Sequence, residues 1–181
     1  MAAFSRRSLR SRIFGRIITN MTQSLEELLR EEEELTFDSF DEDDAWDLGV
    51  LFAERARAEG LPVVIDISTR DRVLFHYECR GTAPDNGHWV IRKKNLVNRF
   101  GHSSWYFGQK LKRDGSTLEG RYAVSEREYA PHGGCFPVNV RGCGAIGTVT
   151  VSGLPQEEDH ALVVRAIRDY LSGKRAQGGS K

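Results

Sequence analysis

Apolar positions along this chain switch between a period near 3.6 and a period of 2, and each switch predicts an element. Ser24-Leu25-Glu26-Glu27 has capping-box spacing, in which the serine oxygen takes an orphan amide and the glutamate reaches back. A helix over 25–34 follows, with Leu25, Leu28 and Leu29 on one stripe. Residues 35–37 read as a short extended piece. The carboxylates of Asp41-Glu42-Asp43-Asp44 suit the first turn of a second helix. That helix carries Trp46, Val50, Ala53 and Arg57 to a stop at Gly60. Residues 63–67 and 73–77 are strand patterns joined at Arg70-Asp71, hence an antiparallel pair. From His88 to Leu111 the spacing of Trp89, Leu96, Phe100, Phe107 and Leu111 predicts one long helix. Gly101 and Gly108 fall inside it, each costing about 1 kcal/mol against alanine. Residues 112–130 form a polar connection with capping-box patterns at 116–119 and 125–128. Strands over 135–140 and 145–151 make a second hairpin, and Pro155 with Glu157, Glu158 and Asp159 opens a final helix. Hairpins interleaved with helices predict an α+β layered domain.

Composition bounds the reading. With 181 residues, 39% hydrophobic and 29% charged, the chain reads as one globular domain over 24–173. A basic, disordered leader over 1–23 precedes it and a solvated tail over 174–181 follows. No apolar run approaches the roughly 20 residues of a membrane-spanning helix, so no membrane partner is expected. Arg6, Arg7, Arg10, Arg12 and Arg16 lie in the first 20 residues, which contain no acid. The remainder therefore holds 21 of the 26 basic residues against all 26 acidic ones, a net charge of −5. A body of that sign argues against a nucleic-acid partner, since clustered cations supply phosphate affinity. The arginine-rich leader has two readings: an organellar transit peptide, giving a mitochondrial location, or sequence upstream of a start at Met21, giving a cytoplasmic protein. Three cysteines without C-x-x-C spacing point to a reducing compartment and no disulfide framework.

Candidate chemistry concentrates in three places. His132-Gly133-Gly134-Cys135 pairs a residue that can switch charge near neutrality with two glycines that let other groups approach the backbone. Cys135 is a candidate nucleophile if a cation stabilises its thiolate, and a small buried hydrophobe otherwise. Around Gly101, His102-Ser103-Ser104 put small and polar groups where a helix would carry bulk. Arg92, Lys93, Lys94 and Arg99 are either a solvated helix face or a clamp for a carboxylate or phosphate, completed by the Gly133 and Gly134 amides. His76, His88 and His160 read as structural or surface groups. No P-loop, G-x-S-x-G, H-E-x-x-H or paired-cysteine zinc motif is present, and no metal ligands are assigned.

Together, Pro84-Asp85-Asn86, Trp89, Arg92-Lys93-Lys94-Asn95, Arg99-Phe100-Gly101-His102-Ser103-Ser104, His132-Gly133-Gly134-Cys135-Phe136-Pro137 and the run from Gly147 to His160 resemble a branch of the GlcG/HbpS-like family, often called haem-degrading. The resemblance implies a profilin-like layered domain, an antiparallel sheet of about five strands and assembly into homo-oligomers. It also brings in haem as a cofactor or ligand. The leading expectation is a self-associating module that binds a small anionic ligand or haem through Arg92, Arg99, His102, Ser103, Ser104, His132, Gly133 and Gly134. The alternatives are an enzyme using Cys135 and His132, and an oligomer that binds a partner without catalysis.

Overall fold

A computed structural model describes residues 23–178. The leader readings for residues 1–22 lie outside the described residues. The Ser24 hydroxyl accepts from the Glu27 amide and Glu27 answers the Ser24 amide, starting α1 (Leu25–Glu34). Asp41 and Asp44 make the same reciprocal cap for α2 (Glu42–Glu59), which Gly60 ends in a left-handed conformation. Strands β1 (Val64–Thr69) and β2 (Val73–Glu78) form the first hairpin.

The single helix expected over 88–111 is two helices. Gly101, at φ 74°, terminates α3 (Pro84–Phe100), and the Ser103 hydroxyl caps α4 (Ser104–Arg113) by accepting from Tyr106 N. A glycine favouring positive φ followed two residues later by a capping serine outweighs the continuous apolar period. In the polar connection, α5 (Leu118–Tyr122) is capped by Thr117 rather than Ser116. β3 (Cys135–Val140) and β4 (Gly144–Ser152) form the second hairpin. The final helix, α6 (Gln156–Gly178), runs past the boundary expected at residue 173.

The sheet has four strands, all antiparallel, in the order β2-β1-β4-β3, where about five were expected. The extended piece at 35–37 contributes a single parallel bridge instead. Phe37 N donates to Asn139 O, and Arg141 N donates to Phe37 O. The two sheet faces differ in kind. Ile65, Ile67, Phe136, Val149 and Val151 point into the main core under α2 and α6. Asp66, Ser68, Thr148, Thr150 and Cys135 alternate with them and face the other way, under α3. A second core joins α1, α3, α4 and α5 around Leu28, Leu96, Phe107 and Leu118.

Candidate functional site

The α3-covered face of the sheet is a buried polar layer. Asp66 on β1 takes the Ser68 hydroxyl (2.6 Å), the Lys94 ammonium (2.9 Å) and His76 Nδ1 (3.0 Å). Lys94 also donates to Ser68 Oγ at 2.8 Å. Strand register sets His76, Asp66, Thr150 and Cys135 in one row across all four strands. One residue back along α3, Lys93 is 3% exposed and donates to Asp159 Oδ2 (2.8 Å) and Val151 O (3.1 Å). Burial pushes the Asp159 carboxyl up to about 6, with Lys93 and the Leu154 and Gly153 amides opposing that rise.

The diglycine corner meets α3 at this buried pair, and it does so by close packing. A Cβ on Gly133 would sit 2.1 Å from Gln156 O, at the start of α6. On Gly134, at φ 114°, it would sit 2.5 Å from Val151 O and 2.8 Å from Lys93 Nζ. Both glycines are buried, and Gly134 O accepts from Val151 N. The corner is thus a joint between α3, β4 and α6, where the sequence suggested an amide nest for an anion.

Three other expected ligand-binding residues also hold the fold. His102 Nδ1 donates to the buried Glu32 carboxylate at 2.8 Å, and Ser103 N donates to the same group at 2.7 Å. Ser104 Oγ accepts from Cys135 N and donates to Cys135 O. His160, read as a surface group, is buried: its ring stacks on Trp105 and its Nε2 meets Glu31 at 3.1 Å. Burial works against the Glu31 carboxylate, but His160 and Arg168 outweigh it and hold its carboxyl below the ordinary value.

Cys135 is fully buried, and burial pushes its thiol up to about 12 although the Thr150 hydroxyl donates to Sγ at 3.0 Å. A thiol in that state supplies no nucleophile near neutral pH. The small-hydrophobe reading of Cys135 fits this environment, and the nucleophile reading does not.

Arg92 and His132 remain near the surface. The Arg92 guanidinium lies 4.3 Å over the Trp89 ring and donates twice to Glu126 O. The same indole meets the His132 ring edge-on at 5.1 Å. His132 is half-buried and its Nδ1 has no hydrogen-bond partner. Burial, then the charges of Lys93 and Arg92, hold the imidazole below its ordinary pKa, so it is neutral at pH 7. Alongside, α3 and the chain at 127–129 enclose an open groove of about 460 Å³ lined by His88, Ile91, Arg92, Asn95, Arg127 and Tyr129, with Glu128 at its edge. Asn95 Nδ2 donating to Glu128 O and Ala130 N donating to Arg92 O fasten that wall to the helix. Arg99 does not line the groove but stands over the ring of Tyr129, which does, at 5.6 Å.

Sequence reasoning missed both the groove wall at 127–129 and the buried layer. The layer had a signal: Asp66 interrupts an apolar strand, and Thr148, Thr150 and Ser152 alternate with Val149 and Val151. The wall had none, because only tertiary packing brings residue 128 to residue 95.

Comparison with known proteins gives one consistent picture. A family model described as haem degrading protein HbpS-like matches residues 40–168. A UPF0303 protein of Rhizobium etli is 48% identical over 84% of this chain and 92% of its own length. One from Serratia proteamaculans is 43% identical over 84% and 94%. The crystal structure of Ybr137w protein superposes with a TM-score of 0.78 at 34% identity, covering 96% of this chain and 99% of that one. HbpS, at 17% identity and a TM-score of 0.58, and a PduOC:heme complex, at 18% and 0.61, share the fold. They cover 94% and 72% of this chain, and 99% and 94% of their own.

Proposed function

The chain belongs to the HbpS-like haem degrading protein family, and from that premise we propose that it is a self-associating protein that binds a flat, acidic small molecule, haem being the leading candidate. The ligand lies in the α3 groove. The observation that carries this reading is the Arg92–Trp89–His132 stack beside the groove: a guanidinium on an indole, and on the indole's other contact a neutral imidazole with an unpartnered buried nitrogen.

Each part has a physical role. Arg92, Arg99 and Arg127 are permanent cations for the ligand's carboxylates, and a guanidinium presents a planar fork to such a group. Ile91, 54% exposed, and the Tyr129 ring give the groove an apolar side for a flat ring system. Trp89 keeps Arg92 and His132 in a fixed relation, with its own Nε1 donating to Asp85 Oδ2 at 3.0 Å. A neutral histidine is the form that offers a nitrogen lone pair, so His132 fits a haem iron as well as a hydrogen-bond donor on another ligand. Haem, when bound, would supply redox and oxygen chemistry of its own iron. The chain's residues bind and orient.

Titration of haemin into the full chain tests this, read by the Soret band. The expected outcome is a saturable Soret shift, weakened about 10-fold or more by Arg92→Ala, in keeping with roughly 1.5–3 kcal/mol for a charge-assisted hydrogen bond, and altered in position by His132→Ala. A spectrum that is the sum of free haemin and protein overturns haem as the ligand. Equal affinity in wild type and Arg92→Ala overturns the groove.

A further inference from the structure

The two edges of the sheet are finished differently. The β3 edge carries Pro137, which has no amide to offer, and is bridged by Phe37. The β2 edge has no proline, no lysine and no covering segment among the described residues. Its free backbone groups can be assigned. Cys79 N donates to Val63 O, so residues 79 and 77 turn their amides toward β1, and the alternation turns those of His76 and Glu78 outward. These are the groups with which an unprotected edge recruits another strand.

The side chains at the same two positions are chemically opposite and self-complementary. His76 and Glu78 are both exposed on the α3 side of the sheet, and His76 Nε2 lies 3.5 Å from Glu78 Oε1. Asp66 anchors the other ring nitrogen of His76, so that the imidazole is held in place rather than free to rotate away. Flanking the edge are two of the three large apolar side chains that the described surface exposes: Trp46 at 61% and Val73 at 60%. Trp46 is not loose. It rests edge-on against Phe75 at 6.2 Å, and Phe75 lies so close over α2 that a Cβ on Gly49 would be 2.4 Å from its ring.

We infer that β2 pairs antiparallel with β2 of a second copy of this chain, joining the two sheets through the outward backbone groups of His76 and Glu78. This rests on the self-association in the reading above and names its surface. In an antiparallel pair, residues that face one another share orientation, both outward or both inward. The register that sets His76 opposite Glu78 of the partner subunit satisfies that rule twice by symmetry, and puts a histidine against a carboxylate in both places. Like residues meet only at Tyr77. An isologous contact of this kind closes on itself and leaves no further β2 edge open.

The register makes a direct test available. Tyr77 of the two copies forms a pair that is not hydrogen-bonded, where Cα atoms stand about 4.5 Å apart, within the range a disulfide spans. In a Cys143→Ser background, which removes the exposed native thiol, Tyr77→Cys should give a covalent dimer under mild oxidation. Ile91→Cys in the same background should not. Independently, Glu78→Lys replaces the carboxylate that faces His76 across the seam with a cation, and should lower the mass measured by light scattering two-fold, with an unchanged far-ultraviolet circular dichroism spectrum. A wild-type chain that is monomeric at high micromolar concentration overturns self-association itself, and the edge with it. A wild-type oligomer whose mass survives Glu78→Lys, and in which Tyr77→Cys forms no cross-link, overturns the β2 edge alone. If Glu78→Lys does not fold, the cross-link decides.

Discussion

At the scale of single residues, burial decides which candidate groups keep their chemistry. Cys135 shows this most plainly. The sequence places a thiol beside a histidine and two glycines, but the fold encloses it completely and raises its pKa to about 12. Iodoacetamide at neutral pH should therefore label Cys143, which is exposed, well before Cys135 or Cys79, and all three equally in denaturant. Labelling of native Cys135 as fast as Cys143 would contradict the closed site. His132 is the opposite case. Its folded-state pKa is below the ordinary 6.5, so the unfolded chain takes up a proton that the folded chain refuses. The stability this contributes is whole above about pH 6.5 and is lost as pH falls below it. His132→Asn should show a smaller drop in urea midpoint between about pH 7 and pH 5 than wild type. Parallel drops would mean that His132 titrates as it would in water.

Between elements, the strongest constraint is the buried Lys93–Asp159 pair, which ties α3 to the start of α6 across the end of β4. Removing one member leaves the other charge buried and unpaired, a loss of about 3–5 kcal/mol, whereas replacing both with apolar groups of similar volume is close to neutral. Lys93→Met should thus cost that much in denaturant unfolding, and Lys93→Met with Asp159→Leu should recover most of it. A double variant as unstable as the single one would show that the pair's worth lies elsewhere. The element boundaries themselves were largely legible. Caps at Ser24 and Asp41 and the stop at Gly60 stand where their side chains and φ preferences require. The one large misreading, a continuous helix over 88–111, came from giving apolar period more weight than Gly101 and Ser103, whose cap chemistry was already visible.

For the molecule as a whole, local chemistry and global arrangement divide cleanly. Alternation, caps and turns are properties of neighbouring residues, so the sequence by itself determined the α+β order, both hairpins and the first three helix ends. Its motifs also carried the family. It did not determine which polar residues would face solvent. Gly133 and Gly134 read as a ligand cradle, yet they are small because Gln156 O, Val151 O and Lys93 Nζ occupy the space beside them. His102, Ser103 and Ser104 read as pocket groups, yet they bond to Glu32 and to the backbone of Cys135, some 30 to 70 residues away in the chain. Only the tertiary structure decided these roles, because a polar side chain has the same local signature whether its partner is a ligand or a distant part of its own chain. The groove on α3 and the bare edge of β2 are likewise products of which surfaces packing leaves uncovered.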